Sequence, residues 1–578
     1  MKKTSREHSI YDGSSTRSES PPPSYSSQPQ QSWSRCDEQT PLFAKANPSS
    51  TSNESDVPGI LTYLIAFSVI ALLTVTILAI FVLSGAVVRT PPDALQTPTF
   101  SVAIIGAGPA GISAAQHLRR RTAGRNFRLN ITLFESSPVI GGNLALNGST
   151  TGPVFPYDDP LQDPIIAEDI TGSALLWSNP FFTKASEGIL GDKVDFAELP
   201  SHKVGYFSGE GIVVETTRPY EKTSWCSWLG LLFRYGFSIS RARALLGDGN
   251  LQDRFADPPL VPEVSQLMIS LGLTDPVQQQ ALIDLDARGI GGAYVTEILE
   301  PQVQRAHPQG ITSQNALGMR VAAFQEDTAN FYTGGNLIDR LEQVVASTGI
   351  TVRTATEVSR LKYQQITEDD FAWIMEFSAV GLPGPHYDAF DQVIIAAPSF
   401  SLYEVASGAV SVEDVEAASA LLYQPAHVTF FIVPSRLNPD IFGNFDQILL
   451  LREQHGDNAL EGVRELAFVR QVYRVGRWDD GDGDDDDNKA PKYLYRAISD
   501  GPVTERLRSL DLGITWIHET EIEHAYPLVY HNTRFPSFKL SEHGLWWTSP
   551  IHAIASTIDM SWLAGKIVAE ELAKNLTK

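Results

Sequence analysis

Three glycines open the chemistry of this chain. In "SVAIIGAGPAGISAAQHLRRR" (residues 101–121), Gly106, Gly108 and Gly111 stand at the spacing G-x-G-x-x-G, after a short apolar run and ahead of a segment of helical period. A strand ending in such a turn brings bare backbone up to a diphosphate. Gly106 permits the tight turn, Gly108 the close approach, and Gly111 the packing of helix on strand. Pro109 and Ala110 begin the helix, whose first amides and positive dipole end suit an anion. A second apolar run, "NITLFE", ends at Glu135, 24 residues beyond Gly111, where a carboxylate accepts ribose hydroxyls. A glycine-rich turn without a nucleotide is the alternative. The full order of strand, turn, helix, strand and Glu favours the dinucleotide.

The elements that must hold this motif belong to a large chain. Its 578 residues, 43% hydrophobic and 10% aromatic, suffice for a big core and more than one lobe. A formal charge of −24 repels phosphate backbones, and no basic cluster is interleaved with aromatics, so nucleic-acid binding is excluded. There is no H-E-x-x-H, C-x-x-C or G-x-S-x-G, and "DDGDGDDDDN" (479–488) lacks the glycine and final Glu of a calcium loop. No metal is expected. Residues 1–58, rich in Ser, Pro and Gln, read as a disordered tail. Gly59–Val88 carries no charged residue and exceeds the ~20 apolar residues of a membrane span, so it reads as a retained signal-anchor helix. The sequons at Asn130, Asn147 and Asn575 follow that span, which favours a cytosolic tail and a lumenal domain, a single-pass type II topology. Cys36 and Cys226 then lie on opposite sides of the bilayer, and no internal disulfide is expected.

Resemblance extends the reading. Gly141 and Gly142, in "SSPVIGGN", stand where many flavoproteins carry the chain past the pyrophosphate, which points to FAD rather than NAD. The segments "FYTGGNLIDRLEQVV", "ITVRTATEVSRLKY" and "FDQVIIAAP" are similar to the returning part of the FAD domain in amine-oxidase-like proteins. There Val358 would meet the adenine, and Ala397 would end a strand near the flavin. More specifically, "LFRYGFSISRA" (232–242), "QRAHPQGITSQNALGMRVAAF" (304–324) and "HAYPLVYHNTRFPSFKLSEHGLWWTSPIHAIASTIDMSWLAGKIVAEEL" (524–572) resemble the prenylcysteine oxidase (prenylcysteine lyase) family. The resemblance runs from about Phe100 to Leu572. It implies an α/β fold with a Rossmann-like FAD-binding domain of the amine-oxidase/glutathione-reductase type and an interleaved substrate domain within 99–578. FAD-binding parts would be about 99–175, 325–400 and 540–575, and substrate-binding parts about 176–324 and 401–539. The membrane helix at 59–88 would precede them.

Members of that family cleave the thioether of farnesylcysteine or geranylgeranylcysteine with FAD and oxygen, in an endomembrane, lysosomal or vacuolar lumen, releasing cysteine, a prenyl aldehyde and peroxide. The carbon lost to oxidation is allylic and bonded to sulfur, so hydride removal leaves a stabilised cation and needs no strong base. This agrees with the absence of a catalytic triad. A single G-x-G-x-x-G disfavours a separate NADPH site and leaves oxygen as the acceptor. The family's Gly-Ile-Glu before the last helix is Pro550, Ile551 and His552 here, its Glu is Asp559, and its Arg after the glycine pair is Asn143. Ile551 and Asp559 would then border the cofactor, and Arg305, His307 and His552 are the candidates for meeting substrate or moving a proton. A structural role for Arg305 and His307 is the competing reading. "WLGLLFRYGF" (228–237) would line a prenyl tunnel or else be simple core. A flavin amine oxidase, or a flavin fold kept only for binding, remain alternatives.

Overall fold

In the computed structural model the described residues are 97–148, 202–218, 224–246, 258–328, 337–366, 371–398, 410–452, 460–472, 491–532 and 534–577, with a few short pieces between. The tail, the apolar stretch 59–88 and the acidic run 479–488 lie outside them, and with them the expected membrane helix. Among the described residues no helix is long and apolar enough to cross a membrane.

Strand β1 (Thr99–Ile105) runs at the centre of a six-stranded sheet, because "VAII" is apolar on both faces. It pairs in parallel with β2 (Arg128–Phe134), which pairs with β3 (Thr351–Arg353), and on its other side with β4 (Gln392–Ile395). Two later strands, β5 (Lys539–Ser541) and β6 (Leu545–Trp547), complete the order β5-β6-β4-β1-β2-β3, antiparallel only between β5 and β6. The period of two along β1 sorts its neighbours. Val102 and Ile104 enter one core cluster with helix α1 (Pro109–Thr122) and the C-terminal helix α2 (Ile558–Leu576). Ala103 and Ile105 enter another, with a three-stranded antiparallel sheet of 356–365, 371–379 and 386–390. The parallel sheet is thus covered on both faces, the Rossmann-like arrangement that the motif predicts.

The helices touch at backbone distance: a methyl on Gly565 of α2 would sit 2.1 Å from the Ala110 carbonyl oxygen of α1. Ser113 seals the crossing by donating its hydroxyl to the Trp562 carbonyl at 2.6 Å. The other half of the chain builds a seven-stranded sheet, in the order 516–527, 423–433, 492–499, 463–472, 447–450, 202–207 and 212–218. Helices at 225–246 and 281–306 share a separate core with its strands at 202–207 and 447–450, whereas the helix at 264–271 packs into the core of the six-stranded sheet.

Candidate active site

The end of β1 forms a cradle of bare backbone. Gly106 has φ +100°, closed to most side chains, and its N–H donates to the Phe134 carbonyl at 2.8 Å. A methyl on Gly111 would lie 1.9 Å from the Gly106 carbonyl oxygen, so α1 is pressed onto the turn. The second glycine pair closes from above. The Gly141 N–H donates to the Ala107 carbonyl at 2.8 Å, and a methyl on Gly142 would stand 3.1 Å from the Gly108 Cα. At the start of α1 no side chain caps the helix and no acid occupies its first turn, an arrangement that suits an anion. This is the donor set a diphosphate requires.

Glu135 is 7% exposed and fixed from both sides. One oxygen accepts the Ala107 N–H at 2.8 Å, and the other accepts the Ser137 N–H at 2.9 Å. The chain then staples the adjacent strand here, Thr356 donating to the Glu135 carbonyl and Ala355 to that of Ser137. Val358 follows two residues on, buried on the same side. Ala396 donates to the Ile105 carbonyl at 2.8 Å, which sets Ala397 beside Gly106. Ile551 is fully buried in a turn of 3-10 helix (Ser549–Ala553), and Asp559, 1% exposed, lies in the first turn of α2.

His552, from the same 3-10 turn, bridges two hydroxyls. Its Nδ1 is 2.9 Å from the Tyr423 hydroxyl and its Nε2 3.2 Å from that of Ser561. Burial lowers its pKa to about 4 and raises that of Tyr423, so both are neutral at ordinary pH. A neutral imidazole donates at one nitrogen and accepts at the other, so Ser561, His552 and Tyr423 form a chain along which a proton can shift without net charge. The Tyr423 ring also meets that of His524, at 5.7 Å between centroids. His524 has φ +52°, and its carbonyl accepts from the Asn143 amide at 3.4 Å. The glycine turn at 141–143 is thereby tied to this aromatic cluster. Tyr423 carries no motif, and only its contacts with His552 and His524 mark it.

His307 and Arg305 have other neighbours, His307 beside Pro527, which pairs with Tyr423 across two strands. His307 is 3% exposed, near the Pro527 carbonyl and 6.2 Å from the Tyr526 ring, and burial lowers its pKa to about 4. Neither of its ring nitrogens has a hydrogen bond of good geometry. Arg305 donates its Nε to the fully buried Glu465 at 3.0 Å, and Arg496 donates to the other carboxylate oxygen at 3.1 Å. Burial alone would raise the Glu465 carboxyl, but the two guanidiniums hold it well below the usual range. Arg305 is thus paired with an internal carboxylate. The stretch after His307 is a clasp: Gln309 Oε1 accepts the Val529 N–H at 2.8 Å, and the Asn315 N–H donates to the Val529 carbonyl at 3.1 Å. The expectation for 228–237 also needs correction. Leu231 and Tyr235 are core, but Phe233 and Phe237 face solvent, because the helix is apolar on two sides and only one meets the body.

Comparison with known proteins gives this geometry its class. A family model described as an NAD(P)-binding Rossmann-like domain matches residues 104–160. Among solved structures, a triple mutant of putrescine oxidase with redesigned cofactor binding has a TM-score of 0.50 at 13% identity, covering 83% of this chain and 100% of that one. Cyclohexylamine oxidase from Brevibacterium oxydans has 0.49 at 11%, covering 83% and 100%. Bovine (Bos taurus) prenylcysteine oxidase 1 is 23% identical over 502 residues, 82% of this chain and 87% of its own. The protein is an FAD-dependent oxidoreductase, a flavin oxidase on a Rossmann-like α/β fold. The model for prenylcysteine lyase matches residues 220–578, more than half of the chain, and the chain belongs to that family.

Proposed function

We propose that this oxidase cleaves the thioether of farnesylcysteine or geranylgeranylcysteine with oxygen, giving prenyl aldehyde, free cysteine and hydrogen peroxide. The prenylcysteine lyase match across 220–578 carries the reading, since that part supplies five strands of the seven-stranded sheet and the His552 cluster. The amides around Gly106, Gly108, Gly111, Gly141 and Gly142 would hold the FAD diphosphate, and Glu135 the ribose. When bound there, FAD would supply the two-electron acceptor for oxidation of the carbon attached to sulfur, with oxygen as the final acceptor.

The demands on the protein's own residues are modest. Water added to the oxidised carbon gives a hemithioacetal, whose collapse moves one proton from oxygen to sulfur. His552 can take or return that proton at Nδ1 through the Tyr423 hydroxyl, while Ser561 holds its other nitrogen. Removing the Tyr423 hydroxyl (Tyr423→Phe) should lower kcat about 10- to 100-fold with flavin content unchanged. Anaerobic flavin bleaching by the substrate should stay fast, which separates the hydride step from the proton step.

We also place the folded body in the lumen of an endomembrane compartment, anchored by residues 59–88. Asn130 and Asn575 are exposed, as glycosylation at these two sequons would require. The deciding experiment uses the full chain purified in detergent and supplied with farnesylcysteine in air. Equal yields of peroxide, thiol and aldehyde are expected. Turnover of primary amines alone would replace this reading with an amine oxidase, and a yellow protein inert to both would leave only a binding role.

A further inference from the structure

Helix Trp225–Tyr235 turns its apolar residues in two directions. Leu231 and Tyr235 join the core beneath it, and Arg234 and Tyr235 both donate to Glu297, at 2.9 and 2.7 Å, which pins that face to the body. On another face Trp225, Leu229 and Phe233 recur every fourth residue, and Phe237 follows just past Gly236, which ends the helix. Trp225, Phe233 and Phe237 are 73%, 89% and 70% exposed, the three most exposed large aromatic side chains among the described residues. One such ring on a surface is ordinary, but three in thirteen residues form a patch that water disfavours.

We infer that this helix docks on a lipid bilayer surface, with Trp225, Phe233 and Phe237 set among the headgroups. Trp and Phe on one face of a surface helix are the side chains that partition to that boundary. Charge agrees. From Ser224 to Gly247 there are three arginines (Arg234, Arg241, Arg243) and no carboxylate, in a chain whose net charge is −24. Glu297, beneath the helix, is the acid that faces Arg234, and Arg241 donates to the Gly289 carbonyl. Anionic headgroups on the side of the bilayer that the body faces would attract this segment and repel most of the remaining surface, so charge would also set the orientation. Chain length agrees as well, because only residues 89–98 separate the uncharged stretch from β1, at most about 35 Å of extended chain. The inference deepens the substrate reading, since a prenyl chain dissolves in such a surface, but its test needs no substrate.

The test uses the full chain in phosphatidylcholine/phosphatidylserine vesicles. With Cys36→Ser, the exposed Cys226 beside Trp225 takes a nitroxide spin label. Docking predicts loss of collisions with a water-soluble nickel chelate and gain of collisions with oxygen, while a label at Val380→Cys, 85% exposed in the described structure, with Cys226→Ser keeps its nickel collisions. Adding Trp225→Ser, Phe233→Ser and Phe237→Ser should restore nickel access at Cys226. Equal nickel access at the two labels overturns the inference. So does dipolar broadening between Cys226 labels, which would mean that a second copy covers the row. Failure of farnesylcysteine turnover would leave these depth readings untouched.

Discussion

The two halves of the molecule handle polar atoms by opposite means. At the end of β1, recognition comes from missing side chains: Gly106, Gly108, Gly111, Gly141 and Gly142 lay backbone against backbone and leave amides to bind a diphosphate. In the seven-stranded sheet, Glu465 is fully buried and held by side chains from three other segments, Arg305, Gln447 and Arg496. The first arrangement is written in about forty consecutive residues. The second joins residues up to 160 positions apart. Local chemistry therefore marks the glycine turn, and long-range chemistry stabilises the half built on the seven-stranded sheet.

The hardest test of this contrast is Glu465→Ala, which takes from Arg305 and Arg496 the buried carboxylate that they share. It should destabilise the protein by about 3–5 kcal/mol in denaturant unfolding while the folded fraction keeps its flavin absorbance. A loss of flavin at intact stability would show that the halves are not separable in this way. Gly111→Ala should cost about 1–3 kcal/mol together with the flavin, since its methyl meets backbone 1.9 Å away and backbone cannot yield cheaply.

Acid should weaken both halves in one window. His117 and His552 in the nucleotide half, and His307 in the other, have folded pKa values lowered by burial from 6.5 to about 4. A lowered histidine stabilises the fold above the unfolded value and loses that contribution as pH falls from 6.5 towards 4. Between pH 7 and 5 the share of His307 is about 2 kcal/mol, and a His307→Gln variant should show a correspondingly shallower slope of stability against pH. Below pH 4.5 the lowered carboxyl of Glu465 adds to the loss. The smallest effect on stability sharpens the comparison most. A methyl on Gly108 finds its nearest atom 3.8 Å away, so Gly108→Ala should change stability by about 0.5 kcal/mol or less yet weaken flavin binding about tenfold or more, by filling the approach to the diphosphate.

What could be read in advance follows the same division. The order β1, α1, β2 and Glu135 was legible because strand period, glycine spacing and helix start are local properties, and Gly141 and Gly142 follow within a few residues. Arg305 was not legible as an ion-pair partner, because nothing near residue 305 announces Glu465. Tyr423 escaped notice for the same reason: an isolated tyrosine in a strand carries no signal until the fold sets it against His552.

The amino-acid order alone determined that a Rossmann-like glycine turn exists and that Glu135 ends the strand beside it, since both rest on contacts within one supersecondary unit, and it also showed which family the chain resembles. Only the tertiary structure decided that His552 shares a proton chain with Tyr423 and Ser561, and that the row from Trp225 to Phe237 faces outward. The physical reason is that an apolar helix has two sides and a histidine two nitrogens. Which of them is buried, and against what, depends on elements a hundred or more residues away.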